Sequence, residues 1–303
     1  MLRTGCTSEF SRLPDVDRSP AHKFRALCRS GAFSQPTPGK VSGFVQANLV
    51  ALPKAFAFDF LLFCLRNPQA CPLLDVTEPG DPCPHSVAEG ADLRKDVPRY
   101  RVWRDGKFVE ERTDVTDLWG EDFVGFLLGC SFSWEFVLEE AGLPPRHVEE
   151  GRNVPMYKTS VPNKRSGAFG GELVVSMRPY KPEHIEAVSE ITARYPAAHG
   201  APVHVGSPAE IGITHAGTSQ HSAAVADTGA EGTKEGEKKS GSIRDPDYGE
   251  AVTVREGEEC VFWACGVTPQ RAIETASPPP PLAITHAPGH MFICDLLDRE
   301  LKI

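Results

Sequence analysis

The chain has 303 residues, with 41 acidic against 32 basic side chains (formal net charge −9), 40% hydrophobic residues and a mean hydropathy of −0.27. That length and apolar content support one large core or two ordinary ones, and exclude a disordered chain. The 24% of charged residues excludes a membrane protein, and the acidic balance speaks against nucleic acid or an anionic membrane as the main partner, because both require a basic footprint.

The first 30 residues carry Arg3, Arg12, Arg18, Lys23, Arg25 and Arg29 but also Glu9, Asp15 and Asp17, and they lack the apolar core of a secretory signal. A cytoplasmic location is the expectation, with the mitochondrial matrix as the alternative. Nine cysteines are scattered from Cys6 to Cys294 without a CxxC, which argues against a zinc ribbon and against a disulfide framework.

Along the chain, Phe44 to Leu52 predicts a strand ending at Pro53, and Lys54 to Arg66 a buried helix closed by Asn67-Pro68. Residues 67–92 hold five prolines and read as a crossing. Arg99–Trp103 and Lys107–Glu111 flank an Asp105-Gly106 turn, a hairpin signal. Glu121 to Leu128 is expected to be helical, Gly129 to interrupt it, and a second helix to run to Ala141. Leu173–Met177 predicts a buried strand, Pro182 the start of a helix, and Val203–Val205 another strand, followed by a capping-box pattern at Ser207-Pro-Ala-Glu210. Residues 215–242 are Gly, Ser, Thr, Ala, Lys and Glu with hardly a large apolar side chain, and read as a disordered insertion. A hairpin around Glu256-Gly257, the strand Cys260–Ala264, a helix from Thr268, and strands near Leu282–Thr285 and Met291–Cys294 complete the pattern.

Chemistry is expected first at Val261-Phe-Trp-Ala-Cys265-Gly-Val-Thr-Pro-Gln270, a strand-to-helix junction with Thr268 as cap. Free N–H groups there favour an anion and would favour a thiolate at Cys265; a structural cysteine beside an ordinary helix is the alternative. Cys130, Ser131 and Ser133 open the helix that follows Gly129, again a place suited to an anion, with a helix break capped by serines as the alternative. Arg152, Asn153, Tyr157 and Lys158 lie in a proline-interrupted segment leading to the glycines of Ser166–Gly171. Arg178 ends a strand, where its fork suits a carboxylate, with a pairing to a surface acid as the alternative. The late histidines, His204 and His290 among them, suit a general base or a structural role. The His286-Ala-Pro-Gly-His290 interval lacks helical geometry and a further ligand at diagnostic spacing, so no metal is assigned. These features alone describe an α/β, enzyme-like protein that binds a small anion.

Six segments taken together are more specific. Val45-Gln-Ala-Asn-Leu49, Gly129-Cys-Ser-Phe-Ser133, Asn153-Val-Pro-Met-Tyr157, Val174-Val-Ser-Met-Arg-Pro179, Phe262–Gln270 and His286-Ala-Pro-Gly-His-Met291 resemble, in this order, the D-glutamate cyclase family, whose bacterial members carry a hydro-lyase label. The resemblance runs from about Ala21 to Asp295, interrupted at 215–242, and departs from the family pattern at Ser160 and Asn163. It implies an α/β fold of two intimately joined units: a lead-in over 1–20, an α/β sandwich unit over 21–75 plus 200–303, and a smaller α+β unit inserted over 76–199. It also implies a cofactor-independent conversion of D-glutamate, a dicarboxylate amino acid, to 5-oxo-D-proline and water, with a homo-oligomer as an option. Cys130, Cys265, His204, His290 and Lys158 are then candidates for catalysis. Arg152, Asn153, Tyr157, Arg178, Ser131 and Thr268 are candidates for holding substrate. Dehydration of another small hydroxy acid, and a non-catalytic carboxylate-binding role, are the alternatives.

Overall fold

The strand around which the protein is built has no polar face. In the computed structural model, which describes residues 16–214 and 243–303, all ten residues of Phe44–Pro53 (β1) are buried. Its side chains alternate between two cores: Val45, Ala47, Leu49 and Ala51 join one cluster, Val50 and Leu52 another. The elements before and after it are the helix Ser19–Arg29 (α1), the helix Lys54–Arg66 (α2), and strands Leu73–Val76 (β2), Tyr100–Arg104 (β3), Lys107–Arg112 (β4) and Phe123–Gly129 (β5). Helices Phe132–Glu140 (α3) and Arg146–Glu149 (α4), strands Met156–Pro162 (β6) and Glu172–Tyr180 (β7), and helix Pro182–Ala193 (α5) follow. Strands His204–Val205 (β8) and Glu259–Ala264 (β9), helix Thr268–Glu274 (α6), and strands Ala283–His286 (β10) and Phe292–Leu297 (β11) end the series.

The strands form two sheets, consistent with the α/β class expected of two joined units. The larger has the order β2-β5-β1-β10-β3-β4, with β11 also on β1; the smaller has the order β6-β7-β9-β8. Neighbouring strands in both sheets run antiparallel. The rule placing ligands at the carboxyl ends of parallel strands therefore does not locate the site here. Helix α2 covers one face of the larger sheet, with Phe60 packed edge-on against Phe126 and Phe169 at 4.9 and 5.2 Å between ring centroids. Between the sheets lies α3, where Trp134 meets Trp263 of β9 at 5.6 Å.

The structure corrects several local expectations. Residues 123–129 are a strand, not a helix: Phe-Val-Gly-Phe-Leu-Leu-Gly is buried on both faces, so it shows neither period. The Ser207 segment is a single 3-10 turn over Pro208–Ile211 without a side-chain cap. At Glu256-Gly257 there is a turn but only the strand after it, so no hairpin forms. Helix α1 and strand β2 are additional elements. The β3–β4 hairpin is as expected, with Asp105 and Gly106 both at positive φ (50° and 75°), as a type I′ turn requires. The segment 215–242 lies outside the described residues.

Candidate functional site

The fold positions a candidate site where one edge of β1 loses its continuous partner. The N-terminal half of β1 pairs with β11 (Ala47 opposite Phe292), and the C-terminal half with β10 (Val50 opposite Thr285). Between them the chain leaves the sheet as the loop 287–291, opposite Asn48 and Leu49. His286 takes the missing strand's place, its Nδ1 standing 3.2 Å from both N and O of Leu49. The loop is fastened by Thr37, whose N–H donates to Gly289 O (2.8 Å) and whose Oγ1 accepts from the Met291 N–H (3.1 Å).

All six segments that carried the resemblance meet at this gap. Asn48 of β1 donates from Nδ2 to Gly129 O at 2.7 Å, at the end of β5. Gly266 lies so close to the Asn48 amide that a Cβ there would sit 2.0 Å from Nδ2. A Cβ on Gly289 would likewise meet Asn153 at 2.5 Å, on top of its positive φ. Cys130, Val154, Met156, Val174, Val267 and Met291 form one buried cluster, against which Cys265 and Tyr248 pack. Two cations reach its rim: the Lys158 ammonium and the Arg101 guanidinium lie 5.7 and 5.9 Å from the Tyr248 ring centre.

Beside the thiols lies a buried charge network. Arg178 has no exposed surface, and its fork is used within the protein. It donates to Glu135 Oε1 from Nη2 (2.5 Å) and Nε (3.2 Å), to Ser176 Oγ (3.0 Å) and to Ser131 Oγ (2.9 Å). The rings of Trp134 and Trp263 lie 4.8 and 5.3 Å from its guanidinium carbon. Glu135 in turn meets His147 Nε2 at 3.1 Å. Burial pushes the Glu135 carboxyl up, but the charges and hydrogen bonds of His147 and Arg178 outweigh it and hold it below its ordinary value.

The thiols follow the opposite balance. At Cys265 the N–H groups of Val267 and Gly266 and the Arg178 charge favour a thiolate, yet desolvation dominates and raises its pKa to about 11. Cys130 is raised further by burial, and the neighbouring Cys265 adds to the shift. Both are thus neutral thiols at neutral pH, against the expectation of a thiolate at Cys265. His290 is lowered by burial, and its Nδ1 lies 3.1 Å from Pro288 O. That contact requires the proton on Nδ1 and leaves Nε2 as an acceptor.

The other candidates divide plainly. Ser131 is bound to Arg178, and Asn153 abuts the 286–291 loop. Thr268 is not the cap of α6, which is Val267; its Oγ1 instead bridges to Val174 N and O of β7 at 3.1 and 3.2 Å. Lys158 also lies 3.5 Å from Glu274. Away from the gap are Tyr157, whose hydroxyl donates to Ile243 O (2.7 Å), and the exposed Arg152, held by Glu150 and Ala251. His204 lies on the edge strand β8 over Phe262, its Nε2 2.9 Å from Ser207 O. Ser160 packs near Gly212, and Asn163 bonds Gly171 O, so the two departures from the family pattern sit at the far end of β6. Among the described residues, Cys83, His85 and Glu89 bring three potential metal-ligand atoms within 4.8 Å of one another, on a segment that contributes none of the six motifs.

Comparison with known proteins accounts for this convergence. The D-glutamate cyclase family model matches residues 124–231 and 231–295. A protein of Geobacillus kaustophilus is 50% identical over 279 residues, covering 92% of this chain and 95% of its own length. One of Bordetella petrii is 48% identical over 93% of this chain and 96% of its own, and one of Mycolicibacterium gilvum 48% over 96% and 99%. All three bear the name "putative hydro-lyase". The chain belongs to the D-glutamate cyclase family.

Sequence reasoning placed no role on Gln46, Asn48, Glu135, His147 or Gln270 of this family member. A signal was present for three of them. Gln46 and Asn48 are amides inside an otherwise apolar strand, and Glu135 is the one charge in Phe-Ser-Trp-Glu-Phe-Val-Leu. Buried polar groups in such company need dedicated partners. What the pattern could not supply was the partner's identity, since Arg178 is 43 residues from Glu135.

Proposed function

We propose that the chain is a lyase that converts D-glutamate to 5-oxo-D-proline and water, with its site at the gap between β10 and β11. The observation that carries this reading is the meeting of all six motifs at that gap, in a chain of the D-glutamate cyclase family. The hydro-lyase names of the relatives support the coarser class.

The reaction forms a bond between the substrate nitrogen and its side-chain carboxyl carbon. The nitrogen, an ammonium in the bound substrate, gives up two protons in all, and one side-chain carboxyl oxygen departs with them as water. His290, neutral and with Nε2 as acceptor, suits removal of the first of them. Lys158 and Arg101 at the rim offer positive charge to the two substrate carboxylates. Arg178 is committed to Glu135, so its part is to fix α3 and β7 and to bias the thiols electrostatically. Cys130 and Cys265, as protonated thiols, can donate a hydrogen bond to the developing oxyanion or a proton to the leaving oxygen. Intramolecular attack already supplies proximity, so the protein has only to fold the substrate and balance charge.

Chiral chromatography tests the reading against its nearest rival. D-Glutamate should give 5-oxo-D-proline, while small hydroxy acids give no alkene absorbance. Alkene formation with inertness toward D-glutamate would assign the hydro-lyase class to a different substrate.

A further inference from the structure

Two buried glutamine side chains flank the 286–291 loop, and their orientation is fixed by what they donate to. Gln270 donates from Nε2 to His286 O at 3.0 Å, where the loop begins. Gln46 donates from Nε2 to Thr37 O (3.1 Å) and Lys40 O (3.3 Å), and Thr37 fastens the loop's far end. Carbonyl oxygens cannot donate, so neither amide can be turned end for end without setting oxygen against oxygen. The Oε1 atoms of both are buried and meet no donor among the described residues. The side chains are only 3% (Gln46) and 1% (Gln270) exposed. A third amide oxygen without a donor, Oδ1 of Asn153, belongs to the side chain that abuts Gly289 of the same loop.

Buried amide carbonyls without donors are costly unless something supplies N–H groups. His286, the nearest titratable group of this loop to β1, is neutral at physiological pH, its pKa lowered by burial to about 4, and brings no competing charge. We propose that Gln46 and Gln270 form the subsite for the substrate's α-amino group, each Oε1 accepting one of its hydrogens. This rests on the reading of the protein as acting on an amino acid, and adds a reason for amides in place of carboxylates. A carboxylate would hold the ammonium and raise its pKa, keeping the nitrogen protonated. A neutral amide accepts from the ammonium and from the free amine alike, and so lets the nucleophile form.

The test compares binding of D-glutamate and of glutarate, which lacks the amine, by calorimetry. Wild type should bind D-glutamate the more tightly. Gln270→Met and Gln46→Met, each shown to melt as wild type, should weaken D-glutamate by about tenfold or more, the worth of a hydrogen bond to a charged group, and leave glutarate within about twofold. Gln270→Glu should bind D-glutamate at least as well while moving the acid limb of the kcat profile to higher pH. Equal losses for both ligands, or none for either, would overturn the subsite. So would a wild type that binds glutarate as tightly as D-glutamate. If discrimination by the amine is seen but no 5-oxo-D-proline forms, the assigned reaction falls and the subsite stands. If the product forms and discrimination is absent, the reverse holds.

Discussion

Removing the Glu135 charge isolates the buried network on which the site rests. In Glu135→Gln, Arg178 keeps its charge and its burial but loses the carboxylate that accepts from Nη2 and Nε. Leaving one member of a buried pair uncompensated costs about 3–5 kcal/mol. At about 2–4 °C per kcal/mol for chains of somewhat smaller size, the melting temperature should fall by roughly 6–20 °C. Glu135→Leu combined with Arg178→Met should lose much less than the sum of the two single changes, because an apolar replacement of the whole pair avoids the stranded charge. The pH dependence has a defined sign. Glu135 is held below its ordinary value of 4.5, so its contribution is complete above that pH and is lost as pH falls through the lowered value in the folded protein. Circular-dichroism melts of the five proteins (wild type, Glu135→Gln, Glu135→Leu, Arg178→Met and the double variant) from pH 7 down to below pH 4 give all these quantities. A Glu135→Gln protein within about 1 kcal/mol of wild type, or additive single changes, would refute the role given to the network.

Two further consequences concern the gap and two buried histidines. Gly266→Ala places a Cβ 2.0 Å from Asn48 Nδ2 and must displace the amide from its 2.7 Å bond to Gly129 O. Turnover should fall at least tenfold with a stability loss of about 1–3 kcal/mol, and wild-type kinetics in this variant would remove Asn48 from the site. His199 and His286 are each lowered from 6.5 to about 4, chiefly by burial. Their contribution to stability is therefore complete above pH 6.5 and is lost as pH falls toward 4, by about 3 kcal/mol each at the limit. Urea midpoints should drop over that window, and less so in His199→Gln; a flat profile from pH 7 to pH 5 would contradict the burial of both rings.

The fold was legible where a local signal matched the final environment. Lys54–Arg66 is a helix with those bounds, and Asp105-Gly106 makes its turn. It was not legible at Phe123–Gly129, because a strand buried on both faces shows no alternation, and its neighbour β1 lies 70 or more residues earlier in the chain. For the site, the packing of Cys265 against the cluster that holds Cys130, and of Asn153 against the 286–291 loop, had no local signal, since nothing in the sequence ties residue 130 to residue 265. Arg178 shows the limit of residue-type reasoning: a fork suited to a substrate carboxylate is equally suited to Glu135, and burial decided between them. The thiols show a second limit. Helix-start N–H groups do lower the Cys265 pKa, but the cost of burying a charge is larger.

The central claim is tested most directly with D-glutamate carrying 18O in both oxygens of its side-chain carboxylate. Mass-resolved chiral chromatography of the wild-type reaction should show 5-oxo-D-proline retaining one 18O, the other having left as water. No labelled product above that of a heat-inactivated sample would contradict it.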